Sequence, residues 1–189
     1  MTPKTILCIR HGESTFNAMA VVSRVDPLHF AAPLSDAGKQ QLLAARETLR
    51  TRPIELVITT PLTRALQTTA GVFADHPSSP LILVEALHRE RVENSCDVGR
   101  SPALLSKDFP AFALDHLPEV WWHAHDSPDD RGVCVEPVEE VQLRAAAFKR
   151  LLLQRPERLI AVVGHGTFFF NLIGRSLRNC EVVETVLEG

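Results

Sequence analysis

The sequence predicts an α/β fold of three layers, in which helices cover both faces of a mostly parallel central sheet. Two observations support this prediction. Short apolar segments of strand length alternate along the chain with longer amphipathic segments, which is the order expected of an α/β sheet. Most of the short segments are also nearly continuous in apolar residues, as parallel strands buried on both faces are.

Four of the apolar segments have the length of buried strands, and segments with helical periodicity lie between them. These four predicted strands are residues 5–9, 55–60, 81–87 and 158–164. A fifth segment, 181–187, alternates between apolar and polar residues, which predicts a strand at the edge of the sheet.

The predicted helices carry recognisable start signals. The helix predicted at 35–50 has Ser35 in the N-cap position, and its apolar residues recur at helical spacing. The longest predicted helix, 137–154, has Pro137 near its start and acidic residues in its first turn, where they interact favourably with the helix dipole. Helices are also predicted at 62–75 and 166–177.

Residues 88–136 differ from the rest of the chain because their periodicity is weak and because they contain both tryptophans. We interpret this region as a lid-like insertion over the edge of the sheet, with one short helix near 102–109. Apart from this insertion, the chain shows no repeat and no linker. We therefore expect residues 1–189 to form a single domain.

The composition excludes several classes of function. The chain has a formal net charge of −3 and a pI of about 6.2, so it has no basic surplus to attract nucleic acid or an anionic membrane. No apolar stretch approaches the ~20 residues that span a bilayer, and the N-terminal apolar run is too short for a signal peptide. The four cysteines lack the spacing of a metal site. We expect a cytoplasmic protein with free thiols.

Polar residues follow each of the four predicted inner strands. The first strand is followed by Arg10, His11, Gly12 and Glu13, the second by Arg64, the third by Glu90, and the fourth by Gly164, His165 and Gly166. In parallel sheets, ligands bind at the carboxyl ends of the strands. We therefore expect these side chains to converge on one site, with Glu13 supporting the site rather than reacting in it.

This set of side chains suits phosphoryl transfer. Arginine side chains beside histidines form a pocket for a dianion, because guanidinium groups match phosphate oxygens, and a neutral imidazole can attack phosphorus. Gly12 and Gly166 allow backbone amides to approach the anion, and Asn17 can donate a further hydrogen bond. The leaving oxygen needs a proton, and Glu90 is the best placed acid. No metal is required for this chemistry.

Four motifs resemble the signature of the histidine phosphatase superfamily, which is also called phosphoglycerate-mutase-like. They are RHGESTFN at 10–17, LSDAGKQQ at 34–41, PLTRALQTT at 61–69 and VVGHGTFF at 162–169. The resemblance covers nearly the whole chain except much of 88–136. Each motif alone would be a weak signal, whereas their order and their placement at strand ends are specific.

The resemblance implies a role for each matching residue. His11 would be the nucleophile that forms a phosphohistidine, and Glu90 would protonate the leaving alcohol and then activate water. The phosphoryl oxygens would be held by Arg10, Arg64 and His165, with further substrate contacts from Asn17, Ser23 and Gly166. The resemblance implies neither a metal nor an organic cofactor. Glu93 remains an alternative to Glu90, because both follow the third predicted strand.

We favour a histidine acid-type phosphatase, a hydrolase of phosphoric monoesters, over two alternatives. A cofactor-dependent phosphoglycerate mutase would be longer and would carry a tyrosine-containing motif, whereas this chain has no tyrosine. A phospho-ligand-binding module without turnover would be expected to lack part of the catalytic set. The expected substrate is a small phosphorylated metabolite or a phosphoprotein, and the predicted edge strand could mediate a homodimer.

Two features of residues 88–136 leave more than one interpretation open. The cluster HAHDSPDD at 123–130 resembles a set of metal ligands, but its spacing matches no known metal motif, and we expect no metal there. Trp121 and Trp122 could line the mouth of the pocket or anchor the insertion to the core, and the second is the commoner role of paired tryptophans.

Overall fold

The computed structural model describes residues 3–23 and 25–188, without the side chains of residues 20–23. Within them, five strands form one sheet in the order β3-β2-β4-β1-β5. The strands are β1 (Lys4–Arg10), β2 (Leu56–Thr59), β3 (Leu81–Val84), β4 (Leu159–Gly164) and β5 (Val182–Leu187). All neighbouring strands are parallel except β5, which runs antiparallel to β1 at the edge.

Helices cover both faces of this sheet, which confirms the predicted three-layer α/β/α architecture. The helices in the described residues are α1 (Thr15–Ser23), α2 (Asp36–Leu49), α3 (Thr63–Phe73), α4 (Pro102–Asp108), α5 (Val138–Gln154) and α6 (Gly166–Ile173). One face of the sheet packs against α5 and α6, through Phe148 and Phe168 among others. The other face packs against α2 and α3, through Leu49 and Val72. No helix in the described part of the chain is both long enough and apolar enough to cross a membrane.

Several element boundaries differ from the sequence prediction for local reasons. Helix α6 ends at Ile173 rather than at 177, because Gly174 takes up the left-handed conformation, at φ 70°, that terminates helices. Strand β3 ends at Val84, and the Glu85 side chain accepts a hydrogen bond from the amide of Leu87 and begins a 3₁₀ turn. Helix α1 was not predicted from the sequence.

Residues 88–136 pack against the β3 side of the sheet. Leu105, Leu114 and Trp121 form a cluster with Leu62 and Val84, among others, at the start of α3 and the end of β3. The Trp121 side chain is buried, and its indole nitrogen donates a hydrogen bond to the Arg100 carbonyl at 2.9 Å. Trp121 therefore anchors this region to the core.

The N-terminus of α2 packs closely against the backbone that follows β1. Ser35 caps the helix, as predicted, by accepting a hydrogen bond from the Gly38 amide at 3.0 Å. The Ser35 hydroxyl also donates to the Glu13 carboxylate at 2.6 Å, and the Ser35 amide donates to the Glu13 carbonyl at 2.9 Å. A Cβ atom at Gly38 would lie 2.0 Å from the Glu13 carbonyl oxygen. Glycine is therefore required at this close approach of two backbones.

We expect Gly38→Ala to reduce the free energy of unfolding by roughly 1–3 kcal/mol, because the added methyl group must push α2 away from residue 13. The measurement is urea denaturation. The matched control is Gln40→Ala, an exposed position in the same helical turn, where we expect a change within about 0.5 kcal/mol. A Gly38→Ala variant as stable as the wild type would show that helix propensity outweighs the backbone contact.

Candidate active site

The carboxyl ends of β1, β2 and β4 meet at one edge of the sheet, where Arg10 pairs with Gly164 in the register of β1 and β4. A cavity of about 100 Å³ lies at this edge. Its lining includes the predicted residues Arg10, His11, Asn17, Arg64 and Glu90. His165 lies beside it, with its ring centroid 5.2 Å from that of His11. The side chain of Ser23 lies outside the described part of the structure.

The hydrogen bonds of His11 define the state of its imidazole ring. Nδ1 lies 2.7 Å from the carbonyl oxygen of Gly12, and because a carbonyl only accepts, we assign the ring proton to Nδ1. Nε2 then carries a lone pair, and it accepts a hydrogen bond from Nε of Arg64 at 3.2 Å. Burial, together with the charge of Arg64, holds the pKa of His11 well below its usual value. The ring is therefore neutral near pH 7, with its lone pair on Nε2.

The turn that carries His11 is held from several directions. The His11 amide donates to the Gly164 carbonyl at 3.0 Å, and the Asn179 side chain donates to the His11 carbonyl at 3.0 Å. The Gly12 amide donates to the Thr68 hydroxyl at 3.0 Å, and that hydroxyl donates to the Arg64 carbonyl at 2.7 Å. The imidazole is thus positioned by a rigid backbone.

Arg64 lies in the first turn of α3, where its side chain is buried. Besides its contact with His11, Nη2 donates to the Asp97 carboxylate at 2.8 Å and Nη1 donates to the Cys96 carbonyl at 2.6 Å. Each Nη atom carries a second hydrogen, so two N–H groups remain to bind oxygens of a phosphoryl group. The guanidinium is therefore oriented before any ligand arrives.

Asp97 is a site residue that the sequence reasoning missed. Its second carboxylate oxygen accepts hydrogen bonds from the amides of Asn94 at 3.1 Å and Glu93 at 3.4 Å. The side chain is buried, and it forms a buried ion pair with Arg64. Asp97 lies in the weakly periodic region 88–136, and nothing in its sequence surroundings distinguishes it from a solvated loop acid.

Arg10 and His165 each have a buried nitrogen without a hydrogen-bond partner among the described residues, namely Nε of Arg10 and Nδ1 of His165. Of their other nitrogens, Nη1 of Arg10 donates to the Leu177 carbonyl at 2.8 Å, and Nε2 of His165 lies 2.7 Å from the Thr60 hydroxyl. Buried polar atoms are normally satisfied. Nε of Arg10 can therefore donate to an oxygen of an anion, and Nδ1 of His165 can do so in the tautomer that carries the proton on Nδ1, with Nε2 accepting from the Thr60 hydroxyl.

Glu90 lies at the N-terminus of α6. Its carboxylate accepts hydrogen bonds from the amides of Thr167 and Phe168, both at 3.1 Å, and from its neighbour Arg91 at 2.9 Å. Burial raises the pKa of this carboxyl, and the nearby charge of Asp97 raises it further, although the amides and Arg64 oppose the shift. Glu90 can therefore hold a proton at a higher pH than an exposed glutamate.

The alternative acid, Glu93, differs from Glu90 in its surroundings. It also lines the cavity, but its side chain is 52% exposed and lies 3.3 Å from Nη1 of Arg91. The carboxylate of Glu90, in contrast, is held by the amides of Thr167 and Phe168 at the N-terminus of α6.

The remaining predicted substrate contacts, Asn17 and Gly166, flank the cavity. The Asn17 side-chain oxygen accepts hydrogen bonds from the Ser14 amide at 3.2 Å and from the Asn179 side chain at 3.4 Å. Because the oxygen is used in this way, the NH₂ group is the part of the Asn17 side chain that can donate a hydrogen bond to a bound ligand. A Cβ atom at Gly166 would lie 3.5 Å from Cζ of Arg10, at ordinary van der Waals distance, so Gly166 lies directly beside that guanidinium.

The cluster at 123–130 contributes one member to a group of possible metal ligands. The group consists of three ligand atoms that lie within 4.8 Å of one another, one from each of His123, Glu136 and Glu140. Both oxygens of Glu136, however, accept hydrogen bonds from Arg144 at 2.8 Å. A cation would have to compete with this guanidinium. His123 also lies 2.9 Å from the Asp126 carboxylate, which fits a hydrogen-bonded histidine equally well.

Comparison with known proteins identifies the family of this chain. The chain matches the family described as the histidine phosphatase superfamily (branch 1) over residues 6–180. It is 27% identical to a phosphoglycerate mutase-like protein of Arabidopsis thaliana, over 94% of this chain and 76% of that protein. It is 31% identical to a 2,3-bisphosphoglycerate-dependent phosphoglycerate mutase of Chlamydia trachomatis, over 92% of this chain and 80% of that protein.

The fold is also similar to solved structures. A mycobacterial glucosyl-3-phosphoglycerate phosphatase superposes with a TM-score of 0.63 at 21% sequence identity, covering 98% of this chain and 91% of that one. At this identity, the likeness supports the fold alone. The family match, in contrast, includes the segments that carry Arg10, His11, Arg64, Glu90 and His165. The chain therefore belongs to the histidine phosphatase superfamily.

Proposed function

We propose that the protein is a histidine acid-type phosphatase, which hydrolyses a phosphate monoester through a phosphohistidine on His11. One observation carries this proposal: the proton of the His11 ring is fixed on Nδ1 by the Gly12 carbonyl, so that the lone pair of Nε2 is held beside Arg64. A neutral imidazole in this state needs no base to remove a proton, and its attack requires only that Nε of Arg64 exchange its hydrogen bond to this lone pair for one to a phosphoryl oxygen.

In the first step, the ester phosphate binds to Arg10, Arg64 and His165, and Nε2 of His11 attacks phosphorus. The bond between phosphorus and the ester oxygen breaks, and that oxygen takes the proton of Glu90 and leaves as an alcohol. The two arginines stabilise the charge on the phosphoryl oxygens during the transfer.

In the second step, a water molecule attacks the phosphorus of the phosphohistidine. The carboxylate of Glu90 accepts a proton from this water, the bond between nitrogen and phosphorus breaks, and the electron pair returns to Nε2. Inorganic phosphate leaves, and both His11 and Glu90 regain their starting protonation states. Glu90 thus serves as acid and then as base.

The leaving alcohol has a separate place to bind. A second cavity, of about 410 Å³, shares Arg10, Glu90 and Thr167 with the first and extends to Phe170, Ser176 and Leu177. Phe170 is 56% exposed and offers an apolar surface. Glu90 lines both cavities, which supports its assignment as the proton donor to the ester oxygen. These dimensions favour a small phosphorylated metabolite as substrate.

The direct test is phosphate release from p-nitrophenyl phosphate and from a panel of phosphorylated metabolites. We expect His11→Ala to lower kcat/KM by roughly 10³-fold or more, because the nucleophile is lost. The matched control is His125→Ala, an exposed histidine, which we expect to retain wild-type rates. Equal rates for His11→Ala and the wild type would rule out His11 as the nucleophile.

The pKa shifts of His11 and Glu90 predict a bell-shaped dependence of kcat/KM on pH. Activity requires neutral His11 and protonated Glu90 in the free enzyme. The acidic limb should lie well below pH 6.5, because the pKa of His11 is lowered by burial. The basic limb should lie above pH 4.5, because the pKa of Glu90 is raised by burial and by Asp97.

Profiles of the wild type and of Glu90→Gln, corrected for ionisation of the substrate, test this assignment. We expect the variant to lose the basic limb, because its side chain does not titrate, and to lose roughly 10²–10⁴-fold in rate on alkyl phosphates. A basic limb that persists unchanged in Glu90→Gln would assign the proton donor to another group, with Glu93 as the next candidate.

A further inference from the structure

A buried carboxylate at Glu136 forms the centre of an ion-pair network behind the candidate active site. The residue is fully buried. Nε and Nη2 of Arg144, on α5, donate to its two oxygens at 2.8 Å each, and Nη2 of Arg89 donates to one of them at 3.0 Å. The amide of Val92 lies 3.3 Å from the other oxygen. Both oxygens of Glu136 are thus used.

This network holds the backbone on both sides of Glu90. Nη1 of Arg144 donates to the carbonyls of Leu87 at 2.8 Å and Arg89 at 3.0 Å, before Glu90 in the chain. After Glu90, the Glu136 amide donates to the Val92 carbonyl at 2.8 Å. Residues 87–92 are therefore attached both to α5, through Arg144, and to Glu136, which lies just before that helix.

The energetics of such a network favour a role in positioning. Buried ion pairs contribute little net stability compared with well-packed apolar side chains, because the charges must be removed from water. Here the burial of one carboxylate and two guanidinium groups costs desolvation free energy. In return, the hydrogen bonds of these groups fix the conformation of residues 87–92. The side chain of Glu90 extends from that segment to the Thr167 and Phe168 amides of α6.

We propose that Glu136, together with Arg144, is a positioning residue that places the carboxyl group of Glu90 for proton transfer to the leaving oxygen. This inference rests on the proposed function, because it assigns the network to the acid step of that reaction. Misplacement of a reacting group by about 1 Å can cost roughly 10²-fold in rate. A shift of residues 87–92 would therefore weaken catalysis without any change at His11.

The leaving group distinguishes positioning of the acid from a general loss of structure. An alkyl alcohol needs a proton to leave, whereas p-nitrophenolate, the anion of a much stronger acid, leaves without one. The ratio kcat/KM reports the first phosphoryl transfer and not the later hydrolysis of the phosphohistidine. Comparison of kcat/KM for glycerol 2-phosphate and p-nitrophenyl phosphate therefore isolates the proton donation by Glu90.

We expect Glu136→Gln to lower kcat/KM by about 10-fold or more on glycerol 2-phosphate but by less than about 3-fold on p-nitrophenyl phosphate, as misplacement of an acid would. The amide NH₂ of the glutamine cannot accept from the N–H groups that face it. Arg144→Lys, which keeps the charge but cannot reach all four acceptors, should show the same difference. It serves as the second variant should Glu136→Gln fail to fold.

The control is Leu49→Ala, a buried core substitution on the opposite face of the sheet. It should reduce the free energy of unfolding. Per folded molecule, it should change kcat/KM by the same factor for both substrates. Equal losses on both substrates in Glu136→Gln, or no loss on either, would overturn the inference. Glu90→Gln is the reference: if it shows no difference between the substrates, the acid assignment in the proposed function is wrong.

Amide hydrogen exchange gives a reading that does not depend on turnover. In Glu136→Gln, the amides of Thr167 and Phe168 should exchange faster than in the wild type, because they lose their hydrogen bonds to the Glu90 carboxylate. The same two amides should exchange faster in Glu90→Gln. Exchange in β1 should not change. Wild-type protection at Thr167 and Phe168 in Glu136→Gln would contradict the inference, whatever the activity of the protein.

Discussion

The hydrogen bond between Nδ1 of His11 and the Gly12 carbonyl is the interaction on which the rest of the site depends. At 2.7 Å, it fixes the ring proton on Nδ1 and leaves the lone pair on Nε2. Burial and the charge of Arg64 keep the pKa of this ring low, so the neutral form persists. The sheet contributes rigidity, because the His11 amide is bound to the Gly164 carbonyl of β4.

The proposed reaction also requires an acid that keeps its proton beside cationic side chains. Arg10 and Arg64 favour the charged form of Glu90, as do the amides at the N-terminus of α6. Burial and the negative charge of Asp97 act in the opposite direction. Asp97 therefore connects the two halves of the site, since it orients Arg64 and also influences Glu90. A bound phosphate dianion would add negative charge and raise the pKa of Glu90 further.

The sequence predicted those parts of the fold and site that depend on short-range patterns. Apolar segments gave the strands, and the parallel sheet brought the residues after β1, β2 and β4 together. Asp97 and Glu136 could not be found in this way, because their partners Arg64 and Arg144 are distant or lie in another element. Residues 88–136, all of which the structure describes, are held by such long-range contacts, and their periodicity is weak because α4 is their only α-helix and they contain no strand.

The most direct test of this account is to trap the covalent intermediate. Mixing the enzyme with excess p-nitrophenyl phosphate, quenching with alkali and mapping the phosphopeptide by mass spectrometry should locate the phosphoryl group on His11. The linkage should be stable to alkali and labile to acid, and ³¹P NMR should assign it to Nε2. A phosphoryl group on another residue, or turnover without any label on His11, would contradict the account.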